Sequence, residues 1–217
     1  MNRKGRSSAE RNVEEIRVSV RNLVEFILRS GDIDNRRGNM AEKDAMQMGS
    51  RLHRKIQGKM GADYHAEVPL KTEIDCGQFY LMVEGRADGI FEENGQILID
   101  EIKGVFRDVE RMEEPDPIHL AQAKCYACIY AEQQELREIG VQMTYANLDT
   151  EEMRRFRETY TREELQSWFA DLTMAYRKWA QMQMDWKHIR GESIRKTVFP
   201  YPYRKGQKEL AAAVYRT

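Results

Sequence analysis

An α/β fold, in which a sheet is flanked by helices and a long helix lies near the carboxyl end, follows from three features of this 217-residue chain. Asn94-Gly95 separates two apolar runs, the strongest short-range signal for a β-hairpin. Segments before and after that hairpin carry apolar residues at spacings of three and four, the helical period. Thr161-Arg162-Glu163-Glu164 fits a capping box, and Leu165, Trp168, Leu172, Ala175 and Trp179 behind it form an apolar stripe.

The elements follow in chain order. Residues 1–12 are polar and basic and read as a flexible tail. Val13, Ile16, Val20, Leu23, Val24 and Ile27 predict a helix over 13–29, which Ser30-Gly31-Asp32 ends. A polar loop over 35–39 precedes a second helix at 41–59, built on Met46, Leu52 and Ile56. Strands are predicted over 66–72, 79–91 and 96–105. After Pro115-Asp116-Pro117, a helix over 118–136 and a strand over 141–148 complete the core order of helix, three strands, helix, strand. The long helix is expected from 161 to about 189, and Phe199-Pro200-Tyr201-Pro202-Tyr203 cannot continue it. The main domain is therefore placed at 13–190, with a linker and tail at 191–217.

Composition narrows the function classes. Charged residues make up 33% of the chain against 41% hydrophobic, polar for an enzyme but sufficient for a core. The longest apolar runs, such as 26–28 and 211–214, fall far below the roughly 20 residues that cross a bilayer. No membrane partner is expected, and without a secretory signal a cytoplasmic location is. Cys76, Cys125 and Cys128 lack the spacing of a disulfide framework. A net charge of -1 conceals 35 basic residues, which excludes a uniformly basic binder but not a local basic groove.

The chemistry concentrates on the hairpin. Alternation along 96–105 puts Ile97, Ile99, Glu101 and Lys103 on one face and Leu98, Asp100 and Ile102 on the other. Charges at the end of so apolar a run are costly to bury unless they face each other, a metal or a cleft. On the partner strand Glu84, Arg86 and Asp88 share a face, and the hairpin brings Asp88 beside Glu101. Two carboxylates next to a lysine suit Mg²⁺ or Mn²⁺, with Lys103 able to orient a water or offset phosphate charge. Spacing alone leaves a solvated salt-bridge cluster equally open.

Three motifs carry a resemblance. Gly85-Arg86-Ala87-Asp88-Gly89-Ile90, Ile99-Asp100-Glu101-Ile102-Lys103-Gly104 and Gln122-Ala123-Lys124-Cys125-Tyr126 resemble, in order and spacing, the motifs of RecB-type PD-(D/E)XK nucleases. The resemblance spans about residues 18–148. It implies a restriction-endonuclease-like core, with a central mixed sheet flanked by helices, and metal-dependent hydrolysis of DNA phosphodiesters in repair or recombination. It implies that Asp88, Glu101 and the Ile102 carbonyl bind Mg²⁺ or Mn²⁺ and that Lys103 assists attack. Gly49-Ser50-Arg51-Leu52-His53 is similar to the family's histidine element, which makes His53 a further metal ligand, although such a histidine taken alone is more often packed or on the surface. Gln122 and Tyr126, four apart on one helical face, become catalytic-site residues instead of an ordinary polar rim.

Some relatives carry an iron-sulfur cluster on four cysteines; with three here, no cluster is expected. Residues 199–210, from Phe199-Pro200-Tyr201-Pro202-Tyr203 through Arg204-Lys205-Gly206-Gln207, resemble the segment that opens the motor of XPD/DinG-type DNA helicases. That implies a helicase motor in the same or a neighbouring polypeptide and DNA of single-stranded character as substrate. The alternative function is a non-catalytic DNA-binding module that positions a helicase.

Overall fold

Ser19, not Val13, is where the first helix begins to be specified. The computed structural model describes residues 14–31, 39–198 and 200–216, so the basic tail, most of the expected 35–39 loop and Phe199 lie outside them. Glu14–Ser19 forms strand β1 and Val20–Leu28 forms helix α1, which corrects the single helix expected over 13–29. Ile16 and Val18 serve the period-two pattern of a strand, whereas Val20, Leu23 and Val24 serve a helix. The two patterns abut, and a count at spacings of three and four runs them together. At the junction the Ser19 hydroxyl accepts a hydrogen bond from the Asn22 N–H at 3.1 Å, the N-cap interaction that starts α1.

The expected second helix is α2, Asn39–Gln57. The strands β2 (His65–Asp75), β3 (Phe79–Glu93) and β4 (Gln96–Val105) follow, then α3 (Pro117–Gln133) and β5 (Glu138–Asn147). Asp116 caps α3, its carboxylate accepting from the Ile118 N–H at 2.9 Å, with Pro117 at the first helical position. Asn94 (φ 54°) and Gly95 (φ 79°) give the paired positive angles of a tight hairpin turn between β3 and β4. A further strand, β6 (Met153–Thr161), was not expected. Helix α4 covers Arg162–Lys196, and its capping box is formed: the Glu164 N–H donates to the Thr161 hydroxyl at 3.2 Å, and the Thr161 N–H donates to the Glu164 carboxylate at 2.9 Å. The chain divides into two compact units inside α4, one ending at Lys178 and the other beginning at Trp179; the second includes α5, Gln207–Arg216. No described helix is long and apolar enough to cross a membrane.

The result is an α/β fold with a mixed six-stranded sheet. β4 and β5 run parallel, while β6 lies antiparallel on β5. β3 is the pivot. β2 pairs antiparallel along residues 80–90 of β3, occupying one edge. The opposite edge is shared: β1 takes Phe79–Glu84 in parallel, and β4 takes Gly89–Glu93 antiparallel. Between them, residues 85–88 face no strand on that edge, and β4 beyond Asp100 is paired to β5 alone. The sheet forks there.

Helices cover both faces beside the fork. α2 packs Leu52 and Ile56 on Ile102 of β4 and Ala146 of β5. α3 lays Gln122 against Lys103, on the opposite side of β4 from Ile102. Two glycines in β3 permit close aromatic approach: a Cβ on Gly85 would stand 2.6 Å from the Tyr126 hydroxyl, and one on Gly89 would overlap the Tyr64 ring outright. Gly89→Ala is therefore expected to cost about 1–3 kcal/mol of stability in urea unfolding, as overpacking does, and most of that cost should vanish in a Tyr64→Ala background.

Candidate active site at the strand fork

Asp88 occupies the fork itself. Its Oδ2 accepts a hydrogen bond from the Ile102 N–H at 2.7 Å, capping a backbone donor that the separated ladder leaves unpaired. The N–H and C=O of one strand residue point to the same edge, so the Ile102 carbonyl is turned to the same gap. Asp88 Oδ1 meets His53 Nδ1, from α2, at 3.5 Å. One turn further along α2, the Gln57 amide donates to the Asp88 carbonyl at 2.9 Å and to the Glu67 carboxylate at 3.2 Å. Glu67 stands on β2 at φ 57°, an uncommon angle for a side-chain-bearing residue. Burial pulls the His53 pKa down, but the Asp88 carboxylate outweighs it and holds the imidazole above its ordinary value.

Glu101 is 5% exposed. Its Oε1 receives the Lys103 ammonium at 2.7 Å, and its Oε2 is buried with no hydrogen-bond partner. Burial pushes its carboxyl up to about 7; Lys103 pulls in the opposite direction and Asp88 adds to the rise. Lys103 Nζ also donates to Gln122 Oε1 at 2.8 Å. Four residues along α3, Tyr126 lies over Gly85, and the Arg86 N–H donates to its hydroxyl. Burial raises the Tyr126 pKa, and Glu101 contributes in the same direction.

All the site residues expected from the sequence thus meet at one place: Asp88, Glu101, Ile102 and Lys103 on the forked strands, His53 on α2, and Gln122 and Tyr126 on α3. His53 contacts Asp88, Asp88 the Ile102 N–H, and Lys103 both Glu101 and Gln122, while Tyr126 is bonded to the Arg86 backbone. Among the described residues no three His, Cys, Asp or Glu side chains stand in the arrangement of a ready metal cluster. His53 is drawn to Asp88, and Glu101 to Lys103, instead of all pointing at a common centre.

Two neighbours escaped the sequence reading. Asp100 is fully buried on the other face of β4, where its carboxylate accepts from the Tyr64 hydroxyl at 3.1 Å and the Thr144 hydroxyl at 2.7 Å. Its position inside the run Ile97 to Ile102 was the available signal. His119 lies one turn before Gln122 on α3, with Nδ1 3.1 Å from the Tyr145 hydroxyl. Its spacing from Gln122 placed it on the site face.

No protein-family model and no curated protein matches the chain. Among solved structures, one titled "Crystal structure of SSO0001" is similar at a TM-score of 0.46 and 19% identity, over 73% of this chain and 76% of that one. A likeness of that size leaves the functional argument to the site.

His119 is depressed to about 4, first by burial and then by Lys103, with Arg107 and Arg21 acting in the same direction and Asp116 opposing them. The imidazole is therefore neutral above that value. An NMR titration should show its midpoint near 4, and Lys103→Met should raise that midpoint.

Proposed function

We propose that this protein is a metal-dependent deoxyribonuclease that hydrolyses DNA phosphodiester bonds. The observation that carries the reading is the orphaned Glu101 Oε2, buried at the fork beside Asp88 while a lysine holds the other oxygen. A buried carboxylate oxygen without a donor is costly, and a cation is the partner that a cleft between two acids suits. The donor set fits a hard divalent ion: Asp88 and Glu101 offer carboxylate oxygens, Ile102 a carbonyl and His53 an imidazole. When bound, Mg²⁺ or Mn²⁺ supplies Lewis-acid chemistry at a phosphate oxygen.

The chain's own residues do the rest. Asp88 and Glu101 bring negative charge to the gap, and the Asp88–Ile102 hydrogen bond fixes one carboxylate against β4. Lys103 has donors and no lone pair, so it lies outside any ligand shell and offsets charge that builds on the phosphate as water attacks. Gln122 aims that ammonium, and Tyr126 ties α3 to the Gly85-Arg86 edge. DNA of single-stranded character, a role in repair or recombination and a helicase motor as partner rest on the resemblance of the motifs and of the 199–210 segment.

Labelled single- and double-stranded DNA incubated with Mg²⁺ or Mn²⁺, or with EDTA, tests this. Cleavage should require the metal, and Lys103→Ala should slow it by roughly 10²–10³-fold, the usual cost of losing a charge-stabilising donor. Mn²⁺ should raise the melting temperature of the parent protein, and Glu101→Gln should abolish both cleavage and that rise. A Lys103→Ala variant as fast as the parent would refute the assignment of Lys103, and binding without metal-dependent product would favour a non-catalytic DNA-binding module.

A further inference from the structure

β4 ends at Val105, the chain bends through Arg107 two residues later, and α3 presents His119. Lys103 and Tyr145 are register partners across β4 and β5, and Tyr145 is fully buried. Its hydroxyl oxygen accepts from the Asp116 N–H at 2.9 Å. The hydroxyl proton needs an acceptor of its own, and His119 Nδ1 at 3.1 Å is the one in reach among the described contacts. That fixes the tautomer: Nδ1 is the acceptor, so the hydrogen is on Nε2, and the half-buried ring keeps this second nitrogen as a donor.

Arg107 is exposed, its Cζ 5.8 Å from the Tyr145 ring centroid, and its carbonyl accepts from the Asn147 amide at 3.0 Å. The adjacent Asp108 is engaged by Arg111 at 3.1 Å, and among the described residues no carboxylate lies within ion-pair distance of Arg107. Tyr145 thus touches both groups: it orients the His119 ring by its hydroxyl and carries the Arg107 guanidinium over its face. The rise of 1.5 Å per residue puts His119 about 4.5 Å along α3 from Gln122, the residue that holds Lys103.

We infer that Arg107 and His119 form a subsite for a backbone phosphate of the nucleic acid, next to the phosphate that faces Lys103; this rests on the nuclease reading above. A guanidinium without an ion-pair partner among the described residues and an imidazole N–H are donors available to an outside acceptor, which is what two phosphate oxygens require. Tyr145 and Asp116 act as positioning residues, one step behind the contact.

The test is fluorescence anisotropy of the full chain with a labelled single-stranded oligonucleotide in EDTA, where neither metal nor cleavage is needed. Arg107→Ala should weaken binding roughly tenfold and lower the slope of log Kd against log salt by about one, the signature of a lost phosphate contact. His119→Leu should weaken binding severalfold, and His119→Gln, which keeps a terminal N–H donor, should restore part of it. Lys178→Ala, a charge removed from the exposed face of α4, should leave the slope unchanged. The losses should be equal for 5′-phosphorylated and 5′-hydroxyl strands. A loss confined to phosphorylated ends overturns the backbone assignment, as does wild-type affinity and slope in Arg107→Ala and His119→Leu. That last result together with intact metal-dependent cleavage would sink the subsite and leave the nuclease reading standing, whereas normal losses without any cleavage would do the reverse.

Discussion

The buried carboxylate of Glu101 is the constraint around which the rest is arranged. Its neighbour in sequence shows why. Asp100 is even more deeply buried, yet Tyr64 and Thr144 satisfy its oxygens, and a satisfied buried acid is a structural feature of a sheet. Glu101, one residue on and facing the other way, has Lys103 on one oxygen and nothing on the second. Burying an ion costs several kcal/mol before compensation, and a half-compensated one persists only where the surrounding fold imposes it. The same stretch of β4 therefore carries an acid that supports the fold and an acid that the fold must support.

The support comes from a gap. Were β3 and β4 zipped along their full lengths, the Ile102 N–H would bond to backbone and Asp88 would have no reason to turn inward. Because β1 takes the first part of that edge of β3 and β4 the last, residues 85–88 are left open, and the Asp88 side chain replaces the missing ladder bond. The Tyr126 hydroxyl does the same for the Arg86 N–H, which it can reach only because Gly85 has no Cβ. The glycines on either side of Asp88 are there for close packing by Tyr126 and Tyr64, not for turns.

Much of this was legible in the chain. The Asn94-Gly95 turn sets which residues of β3 and β4 lie opposite each other, and so brings Asp88 toward Glu101. The Thr161–Glu164 capping box located the start of α4 to the residue. Two strands were not legible, for opposite reasons. β1 is six residues long and abuts a helix whose apolar spacing continues its own, with the single polar Ser19 at the junction and no turn or loop. β6, Met-Arg-Arg-Phe-Arg-Glu-Thr-Tyr-Thr, is an edge strand whose burial alternates only between exposed and half-buried, and Arg154 and Arg157 are among its anchors through bonds to the Glu110 carbonyl and Gln142. Charged edge strands resist aggregation and for the same reason hide from hydrophobic pattern reading. At the site, the sequence showed which residues meet but not that His53 pairs with Asp88 and Glu101 with Lys103, since the choice among ionic partners depends on angstrom-scale burial.

A forked sheet cannot hold β3 and β4 in register at the candidate site by its own hydrogen bonds, so the helices must. α2 grips β3 twice at one residue, with His53 on the Asp88 carboxylate and Gln57 on its carbonyl. α3 spans the fork, taking Lys103 of β4 through Gln122 and the Arg86 backbone of β3 through Tyr126. Both pairs are spaced i to i+4, the interval at which a rigid helix keeps two side chains at fixed separation on one face. The distance between Asp88 and Lys103 is thereby set by helix geometry and by the apolar seating of each helix, Leu52 and Ile56 under α2 and the alanine-rich, fully buried face of α3. Side chains away from the charged cluster thus govern the precision of the site, because they seat the helices that substitute for the missing ladder.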